Sequence, residues 1–210
     1  IGSGVGGIRT IEDGTQKLYS AGPGRLSPFT VPKLMANACV GQVSIKLNIR
    51  GMNSCPSTAC ASAGHSIAEA CTFIQRGTAD VMIAGGTEGA LTPICISSFS
   101  AMKALSTRND DPTAASRPFD RDRDGFVLCE GAGIIVLEEY EHAKARGATI
   151  YCEVKGFGIT CDAYHIAAPD PNGSGARVAM ELAIADAGGG ELAFAVGRSR
   201  EKTTTARVLL

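Results

Sequence analysis

The stretch Thr58-Ala59-Cys60-Ala61-Ser62-Ala63-Gly64-His65-Ser66-Ile67-Ala68-Glu69-Ala70, with Asp80-Val81-Met82-Ile83-Ala84-Gly85-Gly86 shortly after it, decides how this chain folds. Residues 61–76 read as a helix whose first turns carry almost no bulk: Ala61, Ser62, Ala63, Gly64, Ser66, Ala68 and Ala70 are all small. A helix that is small and weakly polar around its whole circumference is a buried, closely packed one. Gly77 follows as its C-cap. The apolar run Val81-Met82-Ile83-Ala84, bounded by Asp80 and Gly85-Gly86, reads as a fully buried strand. A buried helix feeding a buried strand is the unit of an α/β fold.

The same alternation extends outward. Residues 32–48 read as a helix, with Thr30 or Val31 near its start and Pro32 in its first turn. Residues 54–57 form a short extended approach to Cys60, although Pro56 removes a ladder donor there. Residues 93–104 are helical or irregular, and 109–117 a polar loop. Residues 126–128 and 133–138 are expected to pair as strands, 139–146 to be helical, 150–159 a strand and 175–187 a final helix. The fold class expected is therefore α/β with a largely buried sheet, without internal repeat or linker. The residues from 188 on have neither period and read as a disordered tail or an artefact of the source sequence.

Composition narrows the function. The chain has 210 residues, 44% of them hydrophobic and 20% charged, with a net charge of −1. No basic field argues for nucleic acid or an anionic membrane surface, and no apolar run approaches the length of a membrane span. The 26 glycines have no collagen-like period and point to tight turns and close backbone approaches. Eight cysteines lack C-x-x-C spacing and are not grouped with histidines, so neither zinc nor a disulfide framework is expected. Ile1-Gly2-Ser3-Gly4 has no initiator Met or signal pattern and reads as the middle of a folded segment.

Cys60 is the thiol placed for chemistry. It follows an extended approach and begins a buried helix. There it faces unpaired backbone N–H groups and the positive end of the helix dipole. Both favour the thiolate a nucleophile needs. The same N–H groups are placed to stabilise an oxyanion developing on an attacked thioester. The competing reading is one more small buried side chain.

Thr58-Ala59-Cys60-Ala61-Ser62 resembles the nucleophile motif of the elongating β-ketoacyl-acyl carrier protein synthases. The resemblance continues in order through residues 80–88, Ala104-Leu105-Ser106-Thr107-Arg108-Asn109-Asp110, Ser116-Arg117-Pro118-Phe119-Asp120, Asp124-Gly125-Phe126-Val127, Glu130-Gly131-Ala132-Gly133 and Asp162-Ala163-Tyr164-His165. It spans residues 1–187. It implies a thiolase-like fold, a layered α-β-α-β-α sandwich of which this chain holds part, assembled as a homodimer. The implied reaction has two halves. Cys60 takes an acyl group from acyl carrier protein; malonyl-carrier protein then loses carbon dioxide and its carbanion attacks the Cys60 thioester. Residue by residue, the resemblance puts Val5, Val31, Ala59 and Phe99 around the acyl chain, with Val31 reaching across the dimer and Phe99 as a gate. It puts Arg25 and Lys103 against the acidic carrier protein. It implies no cofactor, no metal, no nucleic-acid or membrane partner, and a cytoplasmic or plastid-stroma location.

Other motifs carry less. Gly2-Ser3-Gly4-Val5-Gly6-Gly7 satisfies G-x-G-x-x-G but has no complete strand before it and no acidic residue about 20 positions on. Close packing is the better reading. Asp120-Arg121-Asp122-Arg123-Asp124-Gly125 begins like a calcium loop, yet its twelfth position is Gly131 and its arginines neutralise its aspartates. Of the three histidines, His142 reads as surface and His65 as packed or hydrogen-bonded. His165 is the one placed best to approach a site.

The family's two histidine motifs, N-A-H-[GA]-T-S-T and G-H-x-x-G-A-A-G, and its late glycine-rich turn around a Phe do not occur in these 210 residues. The resemblance stops after Gly188, where the first of them is due, and a frameshift in residues 188–210 accounts for that. The stretch as written is expected to lack the condensation half-reaction and to fold poorly alone. The competing functions are a silent chain-length-factor-like partner, which usually lacks the nucleophile, and a polyketide ketosynthase.

Overall fold

Helix and strand form where the central stretch places them. The computed structural model describes residues 1–189. These divide into two units, Ile1–Ala70 with Met82–Leu137, and Cys71–Val81 with the chain from Glu138 on. The helices are α1 (Ile8–Ala21), α2 (Thr30–Leu34), α3 (Ala38–Leu47), α4 (Ser62–Gln75), α5 (Pro93–Ala101), α6 (Tyr140–Ala145) and α7 (Ser174–Asp186). The described strands are β1 (Val81–Glu88) and β2 (Gly131–Glu138).

In the first unit, α4 buries Ser62, Ser66, Ala68 and Ala70 while Gly64 and Glu69 stay exposed. The small residues thus serve one face rather than the whole circumference. That face meets β1, where the Gly85 N–H donates to Ser66 Oγ at 3.2 Å and a Cβ on Gly86 would come within 2.8 Å of Ala63 Cβ. Gly85 has φ +136 and its backbone abuts the Gly133 carbonyl, so no side chain fits there. β1 pairs with β2. The Glu139 N–H donates to the Asp80 carbonyl, and Gly85 lies against Ile134, so five residues forward on β1 are five back on β2 and the strands run antiparallel. Ala84 and Gly85 are buried, whereas Ile134, Ile135 and Val136 of β2 are exposed. The sheet is therefore buried on β1 and open along β2, not buried throughout.

Three local expectations change. The helix expected over 32–48 is broken into α2 and α3, because the Gly7 N–H takes the Leu34 carbonyl at 3.1 Å and Met35 turns extended. Residues 126–128 do not pair with 133–138; Phe126 instead bridges Leu105, and β1 is the partner of β2. Residues 150–159 form no strand. In the second unit that segment lies on α7, with Gly156 and Gly158 against the backbone of Ala179 to Ala187 and the Phe157 N–H donating to Asp186 Oδ2 at 3.0 Å. A strand exists only through a ladder partner. Among the described residues none is offered to it.

Helix α1 has a local signal of its own: Ile8, Ile11 and Leu18 recur at helical spacing, and Gly22 ends it with φ 82. The expected tail lies, apart from its first two residues, outside the described residues. None of the described helices is long and apolar enough to cross a membrane.

Candidate active site

Cys60 sits one turn ahead of α4, in the single 3₁₀ turn Ala59–Ala61, and is exposed. It thus lies on the turn into the helix, which begins at Ser62 rather than at Ala61. Ala59 has φ 52, left-handed backbone that costs a residue with a Cβ about 1 kcal/mol. Neighbours hold it there. The Ser62 hydroxyl donates to the Ala59 carbonyl at 2.7 Å and accepts from the Thr58 N–H at 2.9 Å. Thr58 Oγ1 and His65 Nδ1 lie 2.6 Å apart, giving His65 the hydrogen bond expected of it. The turn thus presents the Cys60 side chain outward from a helix whose opposite face is anchored.

The glycine-rich start of the chain closes on this turn. Gly2 donates to the Gly85 carbonyl at 2.8 Å, accepts from Thr87 at 3.0 Å, and leaves no room for a Cβ against Ser62. Glu88, at the end of β1, gathers the next residues: its carboxylate accepts from Ser3 Oγ at 3.1 Å, Gly4 N–H at 2.7 Å and Val5 N–H at 2.8 Å. Gly4 in turn lies on Ala59, where an added Cβ would stand 3.4 Å from its carbonyl oxygen. Every amide of the fingerprint is taken up inside the protein: Gly4 and Val5 donate to Glu88, Gly2, Ser3 and Gly7 to the carbonyls of Gly85, Pro56 and Leu34, and Gly6 to Ser3 Oγ. The motif is a packing device, and it lays Gly4 on Ala59. No sequence signal marks Glu88, since its partners are over 80 residues away.

The remaining expected site residues lie on other elements. Val31 is exposed on α2, which follows Phe29 and packs through Leu34 on Gly7. Phe99 is on α5, its ring edge-on to Phe126 with centroids 5.3 Å apart and planes at 78°. Thr92, wholly buried, caps α5 by accepting from the Cys95 N–H at 3.3 Å. Arg25 is exposed in the turn Pro23–Arg25, and Lys103 is exposed just past α5 with φ 55.

The loop of alternating Asp and Arg pairs internally. Arg117 meets Asp124 at 3.0 Å and Arg121 meets Asp122 at 3.2 Å. The Ser106 hydroxyl, then the Thr107 N–H, hold Asp124 down at about 2. In the second unit His142 pairs with Glu138 at 2.6 Å, and His165 Nδ1 accepts from the N–H groups of Ala167 and Ala168. Among the described residues no three His, Cys, Asp or Glu side chains group as metal ligands.

Comparison with known proteins follows this geometry. Residues 1–143 match the family model for the N-terminal domain of β-ketoacyl synthases, and residues 151–192 that for the C-terminal domain. The chain is 56% identical over 188 residues to 3-oxoacyl-[acyl-carrier-protein] synthase 2 of Vibrio cholerae, which covers 90% of this chain and 45% of that one. It is 51% identical over 188 residues to the protein of that name in Synechocystis, with 90% and 45% covered. Among solved structures, a β-ketoacyl synthase from Burkholderia phymatum is similar at TM-score 0.81 and 37% identity, over 90% of this chain and 46% of that one. A type II PKS acyl-carrier protein in complex with its ketosynthase bound to the hexaketide matches at TM-score 0.87 and 32% identity, over 90% and 48%. The chain therefore spans about half the length of the relatives it matches. The α/β, thiolase-like fold expected from the motifs is the fold found.

Proposed function

The chain belongs to the β-ketoacyl synthase family, and from that premise we propose that it carries the acyl-accepting centre of an enzyme of fatty-acid elongation, with Cys60 as the nucleophile. The observation that carries the proposal is the turn itself. An exposed thiol directly follows the left-handed Ala59, just ahead of a helix anchored by Ser62 and Ser66. Residues held in such backbone cluster at functional sites. The Cys60 N–H, at the same turn, meets no acceptor among the described residues, which leaves it for the oxyanion.

In the proposed reaction the Cys60 thiolate attacks the thioester carbonyl of an acyl chain carried by acyl carrier protein. The tetrahedral oxyanion forms against the Cys60 N–H and collapses, expelling the carrier thiol. Val5, Val31, Ala59 and Phe99 would line the acyl chain, with Val31 supplied across a homodimer. Arg25 and Lys103 would meet the acidic carrier. The second substrate is malonyl-acyl carrier protein, whose decarboxylation gives the carbanion that attacks acyl-Cys60. The condensation step draws in addition on the family's paired histidines, whose motifs do not occur in these 210 residues.

The test is acyl transfer from an acyl-carrier-protein thioester, followed by intact mass, comparing the full-length protein with Cys60→Ala. We expect an acyl mass increment on the wild type and none on the variant. Transfer that survives the substitution overturns the assignment.

A further inference from the structure

Two other cysteines converge on one atom. Cys39 in α3 and Cys55, five residues ahead of Cys60, each donate their thiol to the Ala36 carbonyl oxygen, at 3.4 and 3.3 Å. Two sulfurs sharing one acceptor at that range are close neighbours. Both thiols are free and half-buried, so the pair is shielded without being sealed. Nothing in the proposed acyl chemistry uses either of them.

We propose that Cys39 and Cys55 form an oxidisable dithiol, a modification site at which a low-molecular-weight disulfide makes an intramolecular bridge. The Cys39 thiolate attacks one sulfur of oxidised glutathione, and its S–S bond breaks with loss of one glutathione thiolate. Cys55, giving up its proton, attacks the Cys39 sulfur of the mixed disulfide and expels the second glutathione thiolate. The protein loses two hydrogens, and the oxidant is reduced to two thiols. Burial beside Cys39 pushes the Cys55 thiol up, which suits it to the second, intramolecular attack rather than the first. A side-chain rotation must bring the sulfurs into bonding contact, which fixes the geometry the bridge demands. The bridge would tie α3 to the segment that enters the Cys60 turn, so oxidation would constrain the turn without modifying Cys60. This inference does not rest on Cys60 being the nucleophile.

The full-length protein and its Cys60→Ala variant are treated with oxidised glutathione, blocked with an alkylating agent, digested without reduction and analysed by mass spectrometry. We expect in both a cross-linked peptide pair joining Cys39 to Cys55, lighter by two hydrogens than the reduced pair. Cys39→Ser and Cys55→Ser should each lose the pair and retain glutathione on the remaining thiol. Separate alkylation or glutathionylation of Cys39 and Cys55 in the wild type overturns the proposal, as do bridges scattered among other cysteines.

Discussion

β1 and the segment 150–159 both read as strands beside glycines and a helix, the first as an unbroken apolar run and the second interrupted by Glu153 and Lys155, and their structures differ. In the first unit Gly85 and Gly86 of β1 press on Ser66 and Ala63 of α4, and the strand also has β2 along one edge and Gly2 along the other. In the second unit Gly156 and Gly158 press on α7 in the same manner, yet no ladder forms among the described residues. Glycine-to-helix packing is written locally and was met in both places. A ladder is not local. The difference teaches that a buried-strand pattern states what a segment can do once an edge is supplied, and no more.

The largest expected effect lies on the ladder side. Gly85→Ala places a Cβ against the Gly133 carbonyl at a φ that L-residues avoid. It should destabilise the protein by about 3 kcal/mol, read as a lower denaturant midpoint. Next is the clasp across the first unit. Glu88→Ala removes three acceptor contacts from Ser3, Gly4 and Val5. It should cost about 2 kcal/mol, with a fall in acyl transfer to Cys60, while Glu88→Gln restores part of each by keeping one acceptor oxygen. Gly158→Ala sets a Cβ against the Ala179 carbonyl oxygen, and the segment, held in no ladder among the described residues, relieves that clash by shifting off α7. It should cost about 1 kcal/mol, and hydrogen exchange should show the amides of 150–159 opening more readily than those of β1. If both segments exchange alike, the contrast between them fails.

The smallest effect is electrostatic and confined to acid. Asp124 is held at about 2, below its ordinary 3.8, first by the Ser106 hydroxyl. A carboxylate depressed on folding lends its stabilisation above the unfolded value and loses it as pH falls through the folded one. Asp124→Asn should therefore leave the wild type its advantage above about pH 4 and erase the difference near pH 2. A difference that stays constant over that window contradicts the assignment.

How far the sequence reached follows the same division. The helix from Ser62 was legible because small residues cluster there, and β1 because four apolar residues stand between an Asp and two glycines. Both signals sit within a few positions. The break between α2 and α3 was not legible, since the Leu34 carbonyl is claimed by Gly7 from a distant part of the chain. The Glu88 clasp and the Cys39–Cys55 pairing were hidden for the same reason. At the candidate site, the helix behind Cys60 could be read in advance, while the left-handed Ala59 could not: an alanine announces no strain, and only Thr58, Ser62 and His65 acting together hold it.

The central claim is that one of eight cysteines is chemically set apart by its turn. The direct measurement is to locate the acyl adduct by peptide mass spectrometry after incubating the full-length protein with an acyl-carrier-protein thioester. The account predicts the adduct on Cys60 itself, assigned by fragmentation because the stretch between Arg50 and Arg76 also holds Cys55 and Cys71. An adduct on Cys55, Cys129, Cys152 or Cys161, or one spread among them with Cys60 unmodified, would contradict it.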